Sequence, residues 1–214
     1  MEPQSLYCTI YIARHGETED NLKKLIQGQG DSPLTAQGEQ QARDLAAILK
    51  NIHFDAIFSS DLGRAKRTAE IVALERQLAV NTAKLLRERS FGRFEGVDYK
   101  EYSSLNQELF EKLKSLTEAE KRAFKTHPDE ESDDEIASRM LTFLREAAAS
   151  YLGQRILVVS HGAIMRALLM HLGFGTHDEL PAGSLANTGY FVLQSDGVDF
   201  EIKETNGVIK HQLN

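Results

Sequence analysis

Leu6-Tyr7-Cys8-Thr9-Ile10-Tyr11-Ile12-Ala13-Arg14-His15-Gly16 is the stretch that decides how the rest of the chain is read. Residues 6–13 form a β-branched and aromatic run of the kind that builds a buried strand. The run stops at an arginine, a histidine and a glycine that permits a turn. Two later segments stop in a similar way. Ala56-Ile57-Phe58 gives way to Ser59-Ser60-Asp61 with Arg64 just beyond, and the strand pattern of residues 155–160 ends at Ser160-His161-Gly162.

Helical periodicity lies between and after these strands. From Thr35 to Asn51, Ala42, Leu45, Ala46 and Leu49 recur at i, i+3, i+4 and i+7. A second helix runs from the Ser59-Ser60-Asp61 turn to about residue 77, with Asp61 expected as its N-cap and Arg64 in its first turn. Residues 98–125 read as mostly helical. Ser132-Asp133-Asp134-Glu135 is a capping-box pattern opening a helix whose Ile136, Met140, Phe143, Ala147 and Tyr151 form one apolar stripe. His161-Gly162 starts a helix to about His171. Residues 190–194 and 198–203 flank Ser195-Asp196-Gly197, expected to be a three-residue hairpin turn. Strands alternating with helices predict an α/β fold, a three-layer sandwich of a mainly parallel mixed sheet with helices on both faces. No internal repeat or low-complexity linker interrupts the chain, so residues 1–214 are expected to form one domain.

Composition narrows the function. The chain has 214 residues, with 25 Lys and Arg against 32 Asp and Glu, a formal net charge of −7. That balance argues against nucleic acid as a partner. The apolar runs are far shorter than the roughly 20 residues that cross a bilayer, so no membrane partner is expected. Met1-Glu2-Pro3-Gln4-Ser5 lacks the basic flank and apolar core of a leader. Cys8 is the single cysteine, so a cytoplasmic, reducing address is expected, with no intramolecular disulfide and no cysteine-rich metal site.

In open α/β sheets, ligands sit beyond the carboxyl ends of the strands, beside helix N-termini that favour anions. Two arginines and two histidines at three strand ends therefore predict one phosphate-binding crevice. The Gly162 N–H, at a helix start, is a further candidate donor. Neighbours on a strand point to opposite faces, so Arg14 and His15 can share a ligand only where the chain turns at Gly16.

Arg14-His15-Gly16-Glu17-Thr18 with Asn21, then Ser59-Ser60-Asp61 with Arg64, then Glu88, then Ser160-His161-Gly162, resembles the histidine phosphatase (phosphoglycerate mutase-like) superfamily. The ordered match runs from about residue 9 to residue 193. It implies a phosphatase of small phosphorylated metabolites that works through a phosphohistidine on His15, with Arg14, Arg64 and a protonated His161 around the transferred group. A backbone carbonyl fixes the second nitrogen of His15 in that family. Glu88, in Leu86-Arg87-Glu88-Arg89-Ser90-Phe91-Gly92, is implied as acid and then base, its pKa raised by partial burial against the pull of Arg87 and Arg89. Asn21 is implied to bond the phosphoryl group, and Gln27-Gly28 to line the pocket. Neither metal nor cofactor is implied.

Ile26-Gln27-Gly28-Gln29-Gly30, Ser160-His161-Gly162-Ala163-x-Met165-Arg166 and Asn187-Thr188-Gly189 look closer to the TIGAR, fructose-2,6-bisphosphatase-like, subgroup. That likeness implies sugar or glycerate (bis)phosphates as substrates, with Lys23, Lys24, Arg89 and Arg93 as candidates for a second anionic group. A phosphoglycerate mutase and a non-catalytic phospholigand-binding module are the alternatives; the compact length favours a phosphatase. Six of the seven residues 129–135 are acidic. They either favour a helix N-terminus or lean over the pocket and penalise highly charged substrates. His53, His127, His171, His177 and His211 lie in no motif and carry no expected role, and Cys8 is expected to be a small buried hydrophobe. Oligomeric state is not legible in the sequence.

Overall fold

The computed structural model describes residues 6–74 and 76–212. The N-terminal stretch read above as lacking a leader falls outside them. The expected α/β sandwich is present as one six-stranded mixed sheet. Its strands are β1 (Cys8–Arg14), β2 (Ala56–Ser59), β3 (Val80–Thr82), β4 (Arg155–Ser160), β5 (Leu185–Ser195) and β6 (Phe200–Val208), in the order β3-β2-β4-β1-β5-β6. The first four are mutually parallel, while β5 runs antiparallel to β1 and β6 antiparallel to β5.

Strand alternation explains the three layers. Cys8, Ile10 and Ile12 of β1 and Ile156 and Val158 of β4 face one core, under helices α7 (Asp133–Ser150) and α8 (Gly162–His171). Tyr11, Ala13, Leu157 and Val159 face the other, under α2 (Ala36–Ile48) and α3 (Gly63–Ala73). Both central strands are buried on both sides, hence their unbroken apolar runs. Cys8 is fully buried, and burial pushes its thiol pKa up to about 12, so it remains an inert thiol.

Local signals at helix starts mostly act as read. Thr35 caps α2 and Ser132 forms a capping box with Glu135 at α7. Asp61 does not cap α3. It pairs with Arg87 through two bonds of 2.7 Å, and the cap comes instead from Asp31, whose carboxylate accepts from Gly63 N at 2.6 Å and Arg64 N at 3.4 Å. The hairpin also differs. Asp196 Oδ1 accepts from both Val198 N and Asp199 N at 2.9 Å, which holds residues 196–199 in the turn and starts β6 only at Phe200. Three short helices, α4 (Tyr99–Leu105), α5 (Gln107–Lys114) and α6 (Glu118–Ala123), occupy the surface segment expected to be helical; a one-turn-long α1 (Glu19–Lys23) follows β1. Among the described residues, no helix is long and apolar enough to cross a membrane.

Candidate active site

A cavity of about 630 Å³ opens beyond the carboxyl ends of β1 and β4. Arg14, His15, Asn21, Gln27, Gly28, Arg64, Glu88, Arg89 and Gly162 all line it. His161 lies directly behind: its ring centroid is 5.1 Å from that of His15, with the planes at 61°.

The turn that lets Arg14 and His15 share this cavity is held by close backbone packing. His15 N still donates to Ser160 O at 3.0 Å, continuing the β1–β4 ladder. Gly16 then turns against Gly38 at the start of α2. A Cβ on Gly16 would lie 2.4 Å from Gly38 O, and one on Gly38 would lie 2.0 Å from Glu17 O. Gly16 N donates to Thr68 on α3 at 3.1 Å, and Asn187 Nδ2 to His15 O at 3.1 Å. His15 Nδ1 lies 2.7 Å from Gly16 O. Since a carbonyl only accepts, that bond places the proton on Nδ1 and leaves Nε2 with its lone pair.

Each arginine is spent partly on the scaffold. Arg64 is 1 % exposed; its two terminal nitrogens donate to Gly30 O and Gly28 O at 2.6 and 2.7 Å. Arg14 Nη1 donates to Leu185 O at 2.5 Å. Gly28 adopts φ +52°, and Glu95 pins its loop by accepting from Gln29 N and Gly30 N. Among the described residues, Arg14 Nε, Arg64 Nε, Arg89 Nε, Gln27 Oε1 and both ring nitrogens of His161 are buried without a protein hydrogen-bond partner. Buried polar atoms are nearly always satisfied, so a cluster of them around one cavity marks where a polar ligand binds.

Burial lowers the pKa of Arg14 and Arg64 from 12.5 while the Glu88 carboxylate raises both again. Guanidinium groups stay charged through such shifts. The histidines behave differently. Burial first, then the charge of Arg64, holds both His15 and His161 well below the ordinary 6.5. Burial therefore disfavours the imidazolium at both rings, and a charged His161 needs an anion beside it.

Glu88 sits at the N-terminus of α8. Its carboxylate accepts from Ala163 N at 3.0 Å and Ile164 N at 3.1 Å, and from Arg89 N at 2.8 Å. Arg87, expected to pull on it, turns away to Asp61. Arg139 on α7 holds the segment in place, donating to Leu85 O, Arg87 O and Glu88 O while paired with Glu131. No motif announced Arg139. Asn21 lines the cavity with its Oδ1 taken by Thr18 N at 3.1 Å, which leaves Nδ2 as its free donor.

Of the residues considered for a second anion, Arg89 lines the cavity and is paired with Asp133. Lys23, Lys24 and Arg93 do not line it; Arg93 pairs with Asp129 on the exterior. The acidic segment does both things the sequence left open. Glu135 closes the capping box, whereas Glu130 and Asp133 line the cavity. His177, without an expected role, also lines it, bonded to Glu118 at 2.8 Å and Asp133 at 2.9 Å. Tyr99, Lys121 and Arg166 also line it. Among the described residues, no group of three or more His, Cys, Asp or Glu is placed to hold a metal ion.

A doubly wound sheet with a histidine pair, a buried Arg64 and a half-buried Arg14 at its switch point defines a phosphate-handling α/β protein. The chain belongs to the histidine phosphatase superfamily (branch 1), whose model matches residues 10–207. It is 32% identical over 197 residues to "Uncharacterized phosphatase PhoE" of Bacillus subtilis, covering 92% of this chain and 93% of that protein. It is 41% identical over 160 residues to "Probable phosphoglycerate mutase GpmB" of Proteus mirabilis, covering 75% and 72%. Among solved structures it resembles YhfR of Bacillus stearothermophilus, with a TM-score of 0.80, 28% identity and coverage of 94% and 98%. It also resembles a phosphoglycerate mutase from Bacillus anthracis, with a TM-score of 0.82, 28% identity and coverage of 97% and 96%. The chain is an enzyme of this superfamily.

Proposed function

We propose that the chain is a metal-independent phosphatase that hydrolyses phosphomonoesters of small metabolites through a phosphohistidine on His15. The observation that carries this reading is the His15 Nδ1 to Gly16 O bond, which leaves Nε2 nucleophilic between two buried guanidinium groups. In the first step Nε2 attacks phosphorus, the ester P–O bond breaks, and Glu88 gives its proton to the departing alkoxide. In the second, water attacks the phosphohistidine, Glu88 takes the water proton, and His15 is released as the neutral imidazole. Arg14 and Arg64, with Asn21 and the Gly162 N–H, offset the charge spread over the phosphoryl oxygens. His161 enters neutral, and the incoming dianion raises its pKa, so the third positive charge arrives with the substrate.

A sugar-bisphosphate preference of the fructose-2,6-bisphosphatase kind draws no support from Lys23, Lys24 and Arg93, since they lie away from the cavity. A cytoplasmic setting belongs to the proposal and rests on the lone Cys8. The test is covalent trapping: with chelator present, a 32P-phosphomonoester leaves an acid-labile, alkali-stable label on the wild type and none on His15→Ala. Equal turnover in His15→Ala sinks the mechanism.

The GpmB and Bacillus anthracis likenesses favour mutase activity as a second reading. Interconversion of 2- and 3-phosphoglycerate faster than phosphate release would establish it.

A further inference from the structure

The cavity is larger than a phosphoryl group requires; at about 630 Å³ it lies in the range of roughly 300–1,000 Å³ that holds whole small molecules. Its inner end is the cationic floor already described. Its outer end is built by the segment around α4, α5 and α6, and there the lining changes character. Phe91, Tyr99, Tyr102, Phe110, Leu113 and Phe124 form its wall. Tyr102 organises them: its ring meets Phe91, Phe94 and Phe110 edge-on at centroid distances of 6.1, 5.0 and 5.7 Å. Its hydroxyl is tied to Thr126 at 3.0 Å.

The charges at this outer end leave little to attract a second anion. Arg89 is paired with Asp133, and Lys121 with Glu118 at 2.9 Å and Asp178 at 3.5 Å. Glu130 is 4 % exposed, its partners being the Thr126 and Tyr102 hydroxyls rather than a cation. Arg166, at this end, has no carboxylate at ion-pair distance among the described residues, and its Nε donates to Leu180 O at 2.5 Å. A second phosphoryl group would meet the Glu130 and Asp133 carboxylates against the Arg166 guanidinium and the single unpartnered Nε of Arg89. An apolar ring would meet aromatic edges that are desolvated on binding.

We infer that the outer chamber selects monophosphates whose alcohol half is aromatic or comparably flat and apolar, and rejects bisphosphates. This rests on the phosphatase reading and narrows its substrate class. Aromatic contacts and burial of the ring supply the selection, and Phe110 and Leu113, on α5, are its specificity-determining residues.

The test compares kcat/KM for benzyl phosphate and ethyl phosphate with the full chain. Both leaving groups are alkoxides, so the ratio reports the chamber rather than leaving-group chemistry. The expected ratio is about 10 or more in favour of benzyl phosphate, from the burial of one ring. It falls to within about twofold in Phe110→Ala or Leu113→Ala, two variants on a half-exposed helix face. Fructose 2,6-bisphosphate should give a lower kcat/KM than benzyl phosphate. A wild-type ratio of one or less, a ratio unchanged in both variants, or preference for the bisphosphate overturns the inference. If no phosphomonoester is turned over, the phosphatase reading fails separately. The chamber is then judged by melting: benzylphosphonate raising Tm more than methylphosphonate supports it, and an equal or smaller shift overturns it.

Discussion

His15 and His161 stand ring to ring, centroids 5.1 Å apart, both withdrawn from solvent and both depressed in pKa by burial and by Arg64. Two imidazoles without a carboxylate between them can share so small a space only while at least one is neutral. The pair is therefore set to receive negative charge, and the cost of keeping it neutral depends on pH.

That cost has a sign. In the unfolded chain each ring titrates near 6.5, whereas in the fold both stay neutral well below that value. Below pH 6.5 the unfolded state binds protons that the folded state refuses, so this contribution to stability is whole above pH 6.5 and declines as pH falls. Tm measured without phosphate should drop between pH 7 and pH 5, and His161→Asn should flatten the drop. An equally steep fall in the variant would remove His161 as its source.

Arg64 is bonded on both terminal nitrogens to the loop carbonyls of Gly28 and Gly30 and keeps Nε free in the cavity. Lysine cannot make that three-way arrangement from one ammonium. Arg64→Lys is expected to lose about 10²–10³ in kcat/KM, the scale of removing one preorganised donor. Steady-state kinetics on a small phosphomonoester checks this, and activity within a few-fold of wild type would contradict it.

The Glu88 carboxylate accepts from two N–H groups at the start of α8 and one of its own segment. Glu88→Gln keeps the shape but sets an amide NH2 against those donors and removes the transferable proton. With ethyl phosphate the expected loss is about 10²–10⁴ in kcat. With p-nitrophenyl phosphate, whose phenolate needs little protonation, the loss should be at least tenfold smaller if the carboxyl acts as acid, with tenfold as a rough threshold. Equal losses on both substrates would assign Glu88 to binding.

His177 ties α6 to α7 by bonding Glu118 with one ring nitrogen and Asp133 with the other. Removing the ring leaves two carboxylates facing each other and frees the partner of Arg89. His177→Ala should therefore destabilise the fold by about 1–3 kcal/mol, the cost of leaving one oxygen of the buried Asp133 without its donor. Urea denaturation checks this, and a cost under about 0.5 kcal/mol, within the range of neutral surface changes, would show that the bridge is idle.

Legibility in the sequence followed burial. β1 and β4 were readable because strands buried on both faces must be apolar throughout, and α7 because its stripe and capping box agree. β3 is not legible, because an edge strand of three residues with two exposed carries little pattern. The first half of β5, Leu185-Ala186-Asn187-Thr188-Gly189, carries little pattern because Leu185 is its one core side chain, while Leu185 O accepts from Arg14 and Asn187 Nδ2 donates to His15 O.

By itself the sequence determined the sheet's class and the residues of the phosphate end, because strand ends and helix starts are local features and each motif there is short. Tertiary structure alone decided who caps α3, how the histidines are charged, and what forms the outer chamber. Those depend on groups brought together from distant segments: Asp31 on Gly63, Arg64 on His161, Asp133 on Arg89 and His177. An apolar residue facing a cavity and one facing a core also look alike in a helical pattern. Only packing shows that Phe110 and Leu113 border open space.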